Sequence, residues 1–181
     1  MLGVREIGLV IIILLAGLTT GCANSTLLVQ GNQLSLTVAP LEQETMPVTI
    51  YHATNDALYL VPEIHVVPKN DHPPQTAMEL LLAGTTNPTL VSVLPPGTQL
   101  RNIWVKDQIA YVDFTDQLIT NNTGGSTSEL LLVGAIVNTL TEFSNIQKVQ
   151  LMVEGKKIDT IVGHMDTTQP LSRSEKIIKK L

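Results

Sequence analysis

The chain has 181 residues, 11 basic and 16 acidic, for a net charge of −5, with one cysteine, one Trp, three Tyr and two Phe. That length holds a leader and one domain. The acidic balance excludes a nucleic-acid footprint, the lone cysteine excludes an intrachain disulfide, and the scarcity of aromatics argues against a carbohydrate surface built on stacked rings.

Residues 1–21 read as a signal peptide. Arg5 precedes an unbroken apolar run, Ile7 to Leu18. The run is too short to cross a bilayer as a helix, which needs about 20 apolar residues, and it fits the apolar region of a secretory signal. Leu18-Thr19-Thr20-Gly21-Cys22 follows and resembles a lipobox, with Thr19 where Leu is usual. Cys22 is therefore the expected lipidation site and the first residue of the mature chain; the alternative is a free thiol in a membrane-anchor helix. A diacylglyceryl group with palmitate-class chains supplies the two acyl chains that stable anchoring needs. Cleavage removes Arg5 and Glu6, so the 160 residues left of 181 keep the charge of −5.

Residues 22–46 read as a lipidated tether of Ser, Thr, Asn and Gln. The alternation of Leu34, Leu36 and Val38 is the competing strand signal. The sequons at Asn24 and Asn121 are read as coincidence in a bacterial lipoprotein. The domain is expected over 47–172. Val48–Thr54 and Leu58–Val67 read as strands, the second marked by Pro62 as an edge or an interruption. Asp71-His72-Pro73-Pro74 opens a helix that Gly84 stops, with Ala77, Leu80 and Leu81 on one face. A loop from Asn87 to Thr98 leads to a hairpin, Leu100–Lys106 with Ile109–Phe114, which places Trp104 opposite Ile103 and Val105. Trp104 reads as core or partial core.

Gly124-Gly125-Ser126 begins the longest helix, to about Phe143. Ser126 and Glu129 have capping-box spacing, and Leu130, Val133, Val137 and Leu140 make an apolar stripe that Leu131, Leu132 and Ile136 widen. Lys148–Val153 is the last strand, Glu154-Gly155-Lys156 a turn, and Arg173, Lys176, Lys179 and Lys180 make a basic C-terminal tail, 173–181, read as a solvated, frayed end. The order ββαββαβ predicts a two-layer α+β domain with helices on one sheet face.

Several segments together resemble the GerMN domain of the sporulation and spore-germination lipoprotein family. These are Leu60-Val61-Pro62-Glu63, Glu79 to Gly84, Leu94-Pro95-Pro96-Gly97-Thr98, Val112-Asp113-Phe114, Gly124-Gly125-Ser126, Ile136 to Phe143, Lys148-Val149-Gln150 and Gly163-His164-Met165-Asp166, in the family's order. Val162 stands where the family usually has a second glycine. The resemblance implies a single domain akin to the ring-building motifs of secretion and sporulation machines. Such domains pack side by side and carry no chemistry; their partners lie in the envelope of a developing spore or in another cell-surface complex.

Candidate chemistry is thin. His52, His65, His72 and His164 lack metal-ligand spacing, and no HExxH or CxxC occurs. His164 with Asp166 offers a metal or proton-relay pair, but an ordered turn is the simpler reading. Ser126 lacks a GxSxG context, and Gly124-Gly125-Ser126 lacks the GK[ST] ending of a phosphate loop. Glu63, Asp113 and Asp116 are the carboxylates that a glycosidase pair would draw on. The basic tail offers weak attraction to anionic lipid.

The reading is thus a membrane-anchored, exported, non-enzymatic assembly or interaction module of sporulation or germination, without cofactor, metal or nucleic acid. Its expected partners are the membrane through Cys22, envelope proteins and a second copy of itself. The alternative is a lipoprotein that binds cell wall or a small ligand. A concave polar pocket favours the alternative, and a flat apolar patch or strand edge favours assembly.

Overall fold

A computed structural model describes residues 43–180. The signal peptide, Cys22, the sequon at Asn24 and the alternation at Leu34–Val38 lie outside the described residues, as does nearly all of the tether. The tether reading ends early, because strand β1 already begins at Thr45 (Thr45–Thr54).

The α+β expectation holds, and the strands divide between two sheets. In the first, β1 lies between β2 (Leu60–Pro68) and the two-residue β3 (Leu90–Val91), all antiparallel. The β1–β2 turn closes with Thr54 N–H donating to Tyr59 O at 2.9 Å and Ala57 at φ 54°. β3 falls inside the segment read as loop; two residues are too few to leave a period. The second sheet runs β4 (Leu100–Lys106), β5 (Ile109–Phe114), β6 (Lys148–Val153), β7 (Lys156–Lys157), with β8 (Leu171–Ser172) also on β6. The β4–β5 hairpin forms as expected. Asp107 and Gln108 take φ of 51° and 63°, the paired positive values that a two-residue hairpin turn needs to match strand twist. β5 and β6 are parallel, so the chain must cross over between them. The short helix α2 (Gln117–Thr120) and α3 (Ser126–Leu140) make that crossover.

Helix α1 (Pro73–Ala83) starts on its two prolines and stops at Gly84, whose φ of +80° ends helical geometry. Helix α3 departs from the stripe reading. Every residue from Leu131 to Leu140 is buried, while Leu130, placed in the stripe, is 39% exposed. A helix that is apolar nearly all round is an interior helix; α3 touches β1, β2, α1, β6 and β8. The core joins it to Ile50, Leu60, Met78, Leu81, Val112, Phe114 and Leu151, all at most 1% exposed. No helix of the described residues is long and apolar enough to cross a membrane.

The basic tail is not frayed within the described residues. Ile177 lies over Gly134 of α3, where a Cβ added to the glycine would stand 2.2 Å from the Ile177 Cδ1. Ile178 bridges Leu60, and Lys179 N–H donates to Leu60 O at 2.8 Å. Lysine-rich composition concealed an Ile177-Ile178 pair with a place to dock.

Candidate functional site

Several of the residues singled out for chemistry are employed in structure. Ser126 does not cap α3; Gly125 is the capping residue, without a side-chain hydrogen bond. The expected capping box is therefore replaced by a longer-range contact. Glu129 is fully buried and turns toward the loop after β7. Its Oε1 accepts from Thr160 Oγ1 at 2.8 Å, Ile161 N–H at 2.9 Å and Val162 N–H at 3.0 Å, and its Oε2 accepts from His164 N–H at 2.8 Å. Burial pushes this carboxyl up, but the donors from Val162, Thr160, Ile161 and His164 outweigh it and hold it below its ordinary value. The Gly163-His164 segment is thus a backbone cradle for one carboxylate. Gly163 carries the positive φ of 96°, and Val162 does not, so the usual second glycine is dispensable.

His164 and Asp166 are not joined by a hydrogen bond. Asp166 accepts from Thr168 N–H at 2.9 Å and Thr168 Oγ1 at 2.7 Å, which is the ordered-turn reading. Glu63 accepts from Thr85 Oγ1 at 2.8 Å and faces His65 Nε2 at 3.3 Å. Asp113 faces Arg101 at 3.2 Å and accepts from Gly155 N–H at 2.9 Å. Glu63 belongs to the first sheet and Asp113 to the second, while Asp116 precedes α2 and its N–H donates to Glu154 Oε1 at 3.2 Å. Among the described residues no group of three or more His, Cys, Asp or Glu is placed to hold a metal ion.

Sequence reasoning missed two polar centres. Arg173 of the tail contacts Glu142 at 2.8 Å, donates to Tyr51 Oη at 2.7 Å and Asn138 O at 3.1 Å, pairs with Glu175 and stacks over the Tyr51 ring. Asn138 and Ser174 exchange hydrogen bonds of 2.9 and 3.0 Å beside it. His52, on β1, is fully buried with neither ring nitrogen hydrogen-bonded. Burial pushes its pKa down, against the raising effect of Glu63, and His65 lowers it further.

Two surfaces stand out among the described residues. The first is a groove of about 320 Å³ between the start of α1 and β4, lined by His72, Pro73, Ile103, Trp104, Phe143 and Asn145 among others. Trp104 is 39% exposed, so it is only partial core, and it stacks on Tyr111 with centroids 5.2 Å apart. The second is the outer edge of β2, unpaired beyond Leu60 among the described residues. Pro62, Ile64, Val66 and Pro68 point outward, with Ile64 69% and Val66 72% exposed. Alternation over Pro62-Glu63-Ile64-His65-Val66 is the sequence signal for that outward row.

Comparisons place this geometry among known folds. The tandem GerMN domains of the sporulation protein GerM from Bacillus subtilis match with a TM-score of 0.62 at 26% identity, over 71% of this chain and 46% of that one. This chain therefore spans about half of that two-domain structure. The first GerMN domain of the same protein matches with a TM-score of 0.61 at 27% identity, over 71% of this chain and 98% of that domain. A putative lipoprotein from Clostridium perfringens shares the fold, with a TM-score of 0.51 at 23% identity over 75% of this chain and 93% of that one. A comparison with curated proteins gave no match. The Germane family model, described as sporulation and spore germination, matches residues 49–159, and the chain belongs to that family.

Proposed function

We propose that this protein is a lipid-anchored, extracytoplasmic and non-catalytic assembly module that acts in sporulation or spore germination. The observation that carries the reading is the apolar outer edge of β2, where Ile64 and Val66 are exposed and, among the described residues, only Leu60 at the start of the strand has a neighbour on that side. An unpaired strand edge is a template for adding a strand from another chain. Family membership supports the sporulation setting. The absence of catalysis is supported by the structural use of Glu63, Asp113 and Glu129 described above. Anchoring is supported by the signal-like run and Cys22. Only the 22 residues 23–44 separate Cys22 from β1, which keeps the domain near the membrane and raises its effective concentration toward neighbours.

The Trp104 groove favours a second reading, a binding lipoprotein for a wall fragment or small ligand. A lining that combines Trp104 and Phe143 with His72 and Asn145 has the mixed character of ligand sites. Cys22→Ser tests the anchor: the variant is expected to leave the membrane fraction or to accumulate uncleaved. A mature-length variant that stays on the membrane like the parent contradicts anchoring. Purified protein that hydrolyses wall fragments, with loss of that activity in His164→Ala, contradicts the non-catalytic reading.

A further inference from the structure

The β2 edge has a pattern that selects its partner. In antiparallel pairs, residues alternate between hydrogen-bonded and non-hydrogen-bonded positions. Lys69 N–H donates to Glu44 O at 2.8 Å and Thr54 N–H to Tyr59 O at 2.9 Å, which fixes the phase over the whole register. The odd residues of β2 bond to β1, and the even ones turn their backbone groups outward. At Leu60 the outward carbonyl is already taken by Lys179 N–H. Pro62 and Pro68 have no N–H to offer. Among the described residues the open donors of the edge are therefore Ile64 and Val66, and the prolines that frame them stand at equal distances on either side of His65.

We propose that the occupant is a second copy of this chain, joined β2 to β2 in antiparallel fashion about a two-fold axis through His65. In that register Ile64 of one copy and Val66 of the other exchange both of their backbone hydrogen bonds, and the symmetric pair does the same. Pro62 faces Pro68 of the other copy, so neither leaves a donor stranded. The exposed Ile64 and Val66 side chains meet on one face. Such an interface is isologous and closes as a dimer, and the prolines stop the pairing from extending along the edge. With so short a ladder the contact is weak in dilute solution and gains from confinement to a membrane. In that respect it rests on the proposed anchoring and deepens the assembly reading.

The test uses cysteine crosslinking of the full chain in sporulating cells, with the unsubstituted chain as control for Cys22. His65→Cys sits on the axis at a non-hydrogen-bonded position, where Cα atoms of opposed residues lie about 4.5 Å apart, within disulfide reach. It is expected to give a self-adduct, and co-expressed Ile64→Cys and Val66→Cys chains a mixed adduct. Those two positions are solvent-exposed, so the mixed adduct does not depend on the Glu63–His65 contact. Leu58→Cys, exposed but outside the window, is expected to give none. Adding Ile64→Glu and Val66→Glu to the His65→Cys chain is expected to cut its adduct about tenfold, because like charges then face each other across the pair. Membrane-held chain without either adduct overturns the pairing, as does an adduct formed only with a different protein. Absence of the chain from the membrane fraction is scored separately and bears on anchoring alone.

Discussion

Glu129 and His52 show how single side chains set acid sensitivity. Glu129 has a folded pKa below its ordinary 4.5. Its contribution is therefore full above the unfolded value and is lost as pH falls through the folded one. Glu129→Ala strands the N–H groups of Ile161, Val162 and His164, and is expected to cost about 3 kcal/mol in urea unfolding at neutral pH. His52 acts in a higher window. Its folded pKa lies below the ordinary 6.5, so the unfolded chain takes up the proton first. Stability is full above about pH 6.5 and declines as pH falls below it toward the folded value. His52→Leu keeps the buried position apolar and is expected to flatten the stability profile between about pH 5 and 7. An unchanged slope there would assign the titration to another group.

The docked C-terminal segment matters most at the level of elements. β8, the 3₁₀ turn Glu175–Ile177 and Ile178 fasten the segment across α3 and the start of β2. Arg173→Ala is expected to cost about 2 kcal/mol, since charged hydrogen bonds to Glu142, Tyr51 and Asn138 go together. Gly134→Leu is expected to unseat Ile177 and speed amide hydrogen exchange at Leu60 and Lys179; unaltered exchange would show that the segment does not depend on that contact. The elements also show what a sequence reveals. Hairpins, prolines and glycines carry local signals, so β4–β5, α1 and the Glu154-Gly155 turn were legible. The edge position of β2 was legible from Pro62. Long-range partners leave no local trace. Glu129 has capping-box spacing whether it bonds Ser126 or a loop more than 30 residues away, and Arg173 reads like any tail arginine. α3 was legible as a helix, but its burial on all sides depends on neighbours distant in the chain, β1, β2 and α1 before it and β6 and β8 after it. The groove at Trp104 likewise arises only when β4 meets α1.

At the scale of the whole molecule, assembly and ligand binding assign function to different surfaces, the β2 edge and the Trp104 groove. Neither needs the fold to change, because Ile64, Val66 and Trp104 are all partly or largely exposed. Substitutions there are expected to alter stability by no more than about 0.5 kcal/mol at the β2 positions, so a loss of function is separable from a loss of fold. The most direct measurement is the yield of heat-resistant, germinating spores from cells whose chromosomal copy carries either Ile64→Glu with Val66→Glu or Trp104→Ala, with protein abundance checked in each. Assembly through β2 predicts that the β2 variant falls toward the yield of the deletion strain while the Trp104 variant stays near the parent. A normal yield from the β2 variant together with a collapse in the Trp104 variant would contradict it and assign the function to the groove.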